Sequence, residues 1–155
     1  LEGRREFVRT EETNMGNITA DANLWIARQF DPNVAVSLKN GGGIRAEIGF
    51  IDQMNSQLLP PQPNPVANKD SLEVSQLDIE NTLRFNNALK VVETTPGGLK
   101  DLLEHGISNW DGVSTNGQMP QVGGIKFSFD PSLAAGSRIH NMAVVDTNGS
   151  VFDLL

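Results

Sequence analysis

Residues 53–70 place the first limit on any fold this chain can adopt. Pro60, Pro61, Pro63 and Pro65 stand there among Gln, Asn and Ser. Proline fixes its own φ and removes a backbone donor, so no regular helix or central strand crosses the segment. The reading is an exposed loop, and one this long inside a compact domain is either a bland surface insertion or a functional segment. With 155 residues in all, the parts on either side share one core instead of building two.

The remaining composition narrows the classes. Hydrophobic residues make up 38% of the chain, ordinary for a globular protein and too many for disorder. No apolar run approaches the ~20 residues of a membrane-spanning helix. The chain opens on Leu1, so it is read as part of a longer polypeptide, with any leader upstream. A formal net charge of −7 repels a polyphosphate strand, which argues against a nucleic-acid polymer as partner. A single small anion can still bind where arginines and backbone N–H groups converge. With no cysteine, disulfides, thiolate ligands and Cys nucleophiles are all excluded.

Local patterns predict the elements. Gly16–Phe30 carries Ile18, Ala22, Trp25 and Ile26 at helical spacing and ends at Asp31-Pro32. Val34–Leu38 reads as a short buried strand that empties into Asn40-Gly41-Gly42-Gly43. Ser75 is placed to cap a helix running to about Leu83. Ala88–Thr94 reads as a strand, and Pro96 opens a helix carrying Leu99, Leu102 and Leu103 that closes at Gly106. Ile125, Phe127 and Phe129 alternate with Lys126 and Ser128, Arg138–Val145 is a further strand, and Asn148-Gly149 turns the chain into Val151-Phe152. The class expected is α+β, a mixed sheet with packed helices.

Three polar clusters carry candidate chemistry. Asn40-Gly41-Gly42-Gly43-Ile44-Arg45 can bring backbone N–H groups to an anion beside the forked Arg45 cation, or can be an ordinary tight turn. Arg9 through Asn17 crowds polar groups at a helix start, where an anion or a capping side chain satisfies the first turn. Arg84-Phe85-Asn86-Asn87 offers a ring for base stacking, or a ring for the core, and Asn87 as a hydrogen-bonding partner. His105 and His140 are the two histidines; they are read as structural, because a two-metal centre needs several converging His and Asp ligands.

In this order, the clusters resemble the C-terminal domain of the 5′-nucleotidase family. The resemblance rests on Arg9…Glu12-Thr13-Asn14-Met15-Gly16-Asn17…Ala20-Asp21-Ala22, then Asn40 through Arg45, then Leu83 through Asn87. Gly98 through Gly106 and Gln121 through Phe127 complete it. It implies that Arg9, Asn40 and Arg45 hold phosphate and ribose, that Gly43 is among the substrate-binding residues, that Phe85 is one of two rings sandwiching the base, and that Asn87 contacts base or ribose. The family's later N-F-x-x-x-G-G-D-G motif, which carries the second ring, does not occur before Leu155, so the sandwich is expected to be open on one side. The family's Pro-Phe pair stands here as Arg84-Phe85, and the insertion after Ile51 is longer than the common form.

The resemblance further implies an N-terminal metallophosphoesterase domain in cis that holds two divalent metals, Zn or Mn, with no cofactor and no catalytic residue in residues 1–155. The substrate would be a nucleoside monophosphate or a related phosphoester, including UDP-sugars and 2′,3′-cyclic nucleotides. Some sulfur-oxidising relatives act on a thiosulfonate. The implied location is periplasmic, secreted or cell-surface. A non-catalytic binding or surface-interaction module is the alternative, separated from the first by whether upstream sequence carries Asp-x-His and Gly-Asn-His-Asp/Glu motifs.

Overall fold

Thr13 starts the first long helix. The computed structural model describes all 155 residues, and in it the Thr13 side chain accepts from Gly16 N at 3.0 Å. That cap opens α2 (Asn14–Arg28), which follows a single helical turn, α1 (Arg5–Val8). The chain continues through β1 (Ser37–Asn40), a 3-10 turn at Gly41–Gly43, and the small hairpin β2 (Phe50–Ile51) and β3 (Leu58–Leu59). Next come α3 (Gln76–Thr82), α4 (Pro96–Ile107), β4 (Pro120–Gly123), β5 (Ile125–Phe129), β6 (Ile139–Val145) and β7 (Val151–Asp153).

All strand pairings are antiparallel. β1 pairs with β4, Ser37 opposite Gly123 and Asn40 opposite Pro120; β2 pairs with β3; β5, β6 and β7 form a meander. The α+β class holds, but three small antiparallel sheets stand where one mixed sheet was expected. Tight turns such as the one at Gly149, which takes φ +81°, can return a strand only antiparallel, whereas a parallel neighbour needs a long crossover.

The main core lies where α4 places Leu99, Leu103 and Ile107 on one face against Met119, Ile125, Ile139 and Met142. A second, smaller cluster of Val8, Met15, Ile44 and Ile48 is what positions the polar clusters, because Arg9 follows Val8 and Arg45 follows Ile44. α2 lies on β1 and β4 through small residues. A Cβ at Gly123 would come within 3.1 Å of the Ala20 backbone.

Four expectations are corrected. The buried face of α2 is Met15, Thr19, Ala20, Leu24 and Ala27, while Trp25 is 65% exposed and Ile18 and Ile26 are also exposed; close approach to the sheet selects the small side. β1 begins at Ser37 instead of Val34, because Arg28 Nε donates to Val34 O at 2.8 Å and holds the connection to the helix end. Ala88–Thr94 forms no strand and makes no backbone hydrogen bond. The proline-rich loop contains β3 and a 3-10 turn at Pro65–Ala67, capped by Asn64.

Candidate functional site

β1 delivers Asn40 to its end, and the chain then turns through Gly41–Gly43. None of these three glycines takes positive φ. Their use is close approach: a Cβ at Gly41 would overlap the Val8 carbonyl oxygen, and one at Gly42 would lie 2.8 Å from Gly117 O. The N–H groups of Gly41 and Gly42 donate inward, to Met119 O at 2.7 Å and Gly117 O at 2.8 Å. The expectation that this run offers its N–H groups to an anion is therefore corrected for Gly41 and Gly42. At Gly43 a Cβ would meet only Asn40 Oδ1 at 3.4 Å and Lys39 at 3.8 Å, which is ordinary contact and leaves that side of the turn open. Asn40 itself is exposed, and its Nδ2 donates to Gly117 O at 3.3 Å.

Arg45 leaves the turn with its backbone N–H on Thr82 O at 2.8 Å, which ties it to the end of α3. Its Nη1 reaches Gly42 O at 3.2 Å, and its guanidinium lies over the Phe85 ring at 5.5 Å from the centroid. Phe85 is 51% exposed, so the core alternative is ruled out. Asn87 N donates to Phe85 O at 2.8 Å in a tight turn, and the Asn87 residue is exposed beside the ring.

Arg9 completes the cluster from below. It is 8% exposed, its Nη1 donates to Thr115 O at 3.2 Å, and its Nε is buried with no partner. Burial, then the neighbouring Arg5 and Arg45 cations, push its pKa below the ordinary arginine value. The same Gly42–Gly117 junction that Arg45 touches lies against Arg9, whose Nη1 is 3.7 Å from the Cβ position of Gly117. Arg9 does not serve the α2 N-terminus, although it precedes that helix in sequence. That end is closed by Thr13 and by Gln121 Oε1, which accepts Thr13 N at 3.2 Å.

Charge at the cluster is uncompensated. The structure contains two ion pairs, Arg4–Glu2 and Lys69–Asp78, so Arg5, Arg9, Lys39 and Arg45 have no carboxylate at salt-bridge distance. Two contributors were not singled out from the sequence. Lys39 is half-buried with its pKa lowered by burial, and Arg5 Nε donates to Thr115 Oγ1 at 2.9 Å. Thr115 orients Arg9 through its carbonyl and Arg5 through its hydroxyl, and carbonyl positions leave no mark in sequence. No group of three or more His, Cys, Asp or Glu side chains is arranged to hold a metal. His105 and His140 sit exposed on α4 and β6, and they do not form a ligand set here.

The α+β domain thus gathers guanidinium groups without ion-pair partners around a glycine turn and an exposed ring. The chain belongs to the 5′-nucleotidase C-terminal domain family, whose model matches residues 2–153. It is 32% identical over 149 residues to the trifunctional nucleotide phosphoesterase protein YfkN of Bacillus subtilis, covering 96% of this chain and 8% of that protein. It is 27% identical to human 5′-nucleotidase, covering 95% of this chain and 23% of that one. The crystal structure of a 5′-nucleotidase precursor from Thermus thermophilus superposes with a TM-score of 0.77 at 32% identity, covering 100% of this chain and 25% of the other. The chain thus spans a quarter or less of the length of these relatives.

Proposed function

We propose that this domain is the nucleotide-recognising part of a 5′-nucleotidase-type phosphohydrolase. Arg9 and Arg45 hold the substrate phosphate, Asn40 and the open side of Gly43 seat the ribose, and Phe85 with Asn87 receives the base. The observation that carries this reading is the buried Arg9 Nε without a partner, next to an Arg45 that already spans the glycine turn and the Phe85 ring. A buried donor left unsatisfied costs about 1–3 kcal/mol, and an anionic oxygen at this position would remove that penalty. The names of relatives, 5′-nucleotidase and nucleotide phosphoesterase, supply the substrate class.

Hydrolysis belongs in this reading to an N-terminal metallophosphoesterase domain of the same polypeptide. Its two divalent metals, Zn or Mn, would lower the pKa of bound water and stabilise charge at phosphorus. The residues described here bind and orient; they transfer no proton and ligate no metal. No helix is long and apolar enough to cross a membrane. A periplasmic, secreted or surface location fits the names of relatives such as snake venom 5′-nucleotidase.

The test uses the full-length enzyme. A charge-assisted hydrogen bond to phosphate contributes about 1.5–3 kcal/mol, so Arg45→Ala is expected to raise KM for a nucleoside monophosphate roughly 10- to 100-fold. Phe85→Leu should weaken nucleotides by much more than a simple phosphate ester, since only the former stack. Unchanged KM in both variants sinks the assignment. Nucleotide binding by calorimetry without any turnover selects the non-catalytic binding module instead.

A further inference from the structure

One cation beside the site has no task in the reading above. Carboxylates outnumber bases in this chain, 19 Asp and Glu against 12 Lys and Arg, yet Lys39 is half-buried on β1 with none at salt-bridge distance. Its cross-strand neighbour is Gln121. That side chain is already committed, donating to Val8 O and Glu11 O and accepting from Thr13 N. Burial alone lowers the Lys39 pKa, whereas Arg9 is depressed by burial and also by the cations of Arg5 and Arg45. A partly desolvated ammonium without a partner is stabilised by an anion that reaches it.

The glycine turn sets Lys39 apart from the guanidinium groups. Arg45 Nη1 donates to Gly42 O, and Arg9 lies against the Gly42–Gly117 junction. Lys39 Nζ instead lies 3.8 Å from the Cβ position of Gly43, which Asn40 Oδ1 approaches at 3.4 Å. A 3-10 turn has about three residues per turn, so adjacent residues face directions roughly 120° apart. The ammonium thus flanks a different side of the turn from the arginines.

We propose, on the seating of the ribose at Asn40 and Gly43 given above, that Lys39 forms a second anion subsite for a phosphate on the ribose 2′ or 3′ oxygen of a nucleoside 5′-phosphate. A ligand that reaches both subsites carries its phosphates at separate positions of the sugar. The two phosphates of a 5′-diphosphate share a bridging oxygen and stay together at the guanidinium groups. The ligand class is therefore a nucleoside bisphosphate.

The full-length protein is titrated with adenosine 5′-monophosphate, the 3′,5′- and 2′,5′-bisphosphates and the 5′-diphosphate, and dissociation constants are read by rapid mixing ahead of turnover. One bisphosphate is expected to bind about 10- to 100-fold tighter than the monophosphate, the size of one charge-assisted contact. Lys39→Met should erase that preference and Lys39→Arg should retain most of it, with little change in the ratio of diphosphate to monophosphate. No bisphosphate preference in the wild-type protein, a preference that survives Lys39→Met, or an equal loss of diphosphate binding in that variant overturns the proposal. Arg45→Ala tests the nucleotide seating separately, because it should weaken all four ligands together. Ligands left unweakened by Arg45→Ala overturn that seating, whatever Lys39→Met does to the ratios.

Discussion

Arg9 and Arg45 carry the same group in opposite circumstances. Arg45 is exposed, braced by Gly42 O and the Phe85 ring, and loses little when no ligand is present. Arg9 is buried, with one donor unmet and two cations nearby, so its charge destabilises the empty domain. Removing a buried, poorly compensated charge is often neutral or stabilising. Arg9→Met is therefore expected to leave the melting temperature unchanged or raised while KM for nucleotide increases sharply. A clear drop in melting temperature would show that Arg9 serves the fold and not a ligand. Sequence exposed the residue type at position 9 but not its burial, because the Thr115–Gly117 loop that covers it is more than a hundred positions away.

At the level of elements, what could be read from sequence tracks how local the determinants are. α4 was legible from Pro96 onward with Leu99 and Leu103 on its buried face, but Leu102 is 50% exposed and the helix runs past Gly106 to bury Ile107, because the core it meets comes from distant strands. Ala88–Thr94 has the pattern of a strand, but no described strand pairs with it, and pairing is not written in the segment itself. What α4 hides is Glu104, buried at 3% exposure and accepting from Ile139 N at 2.7 Å and Gly136 N at 3.1 Å. Glu104→Ala strands those donors and should cost about 1–3 kcal/mol in urea unfolding; a loss within error would mean water replaces the carboxylate.

α3 adds a pH effect of definite sign. The Lys69 ammonium and the Ser75 backbone N–H hold the Asp78 carboxyl at about 2, below its ordinary 3.8. Ser75 Oγ accepts from Asp78 N at 3.2 Å and Asp78 Oδ2 accepts from Ser75 N at 2.8 Å, a reciprocal capping box at the start of α3. Because the folded value is the depressed one, this box contributes fully above pH ~4 and fades as pH falls toward ~2. NMR titration of Asp78 should show the low midpoint, and Lys69→Met should move it upward. An unmoved midpoint would assign the shift to Ser75 alone.

For the whole molecule, charge is distributed against the average. The chain carries −7 overall, yet Arg5, Arg9, Lys39 and Arg45 gather without a carboxylate neighbour. Composition could exclude a nucleic-acid polymer but could not foretell this local reversal. It arises because α1, the start of α2, the segment that leaves the glycine turn and the end of α3 meet over one small apolar cluster of Val8, Met15, Ile44, Ile48 and Leu83. A ligand that binds only the folded state adds RT ln(1 + [L]/Kd), about 2.7 kcal/mol at a hundredfold excess over Kd. A nucleoside monophosphate should therefore raise the melting temperature of the full-length protein, with a smaller rise in Arg45→Ala and a decline as salt is added. Equal rises in the two proteins would place the ligand elsewhere.

Four cations lacking counter-ions also make the purification buffer a reagent. Under the proposed assignment, inorganic phosphate or sulfate competes with the ester for the same guanidinium groups, so an apparent affinity measured in such a buffer is scaled by the competitor's own occupancy. Preparations exchanged into weakly coordinating anions should bind nucleotide more tightly than identical protein eluted in phosphate.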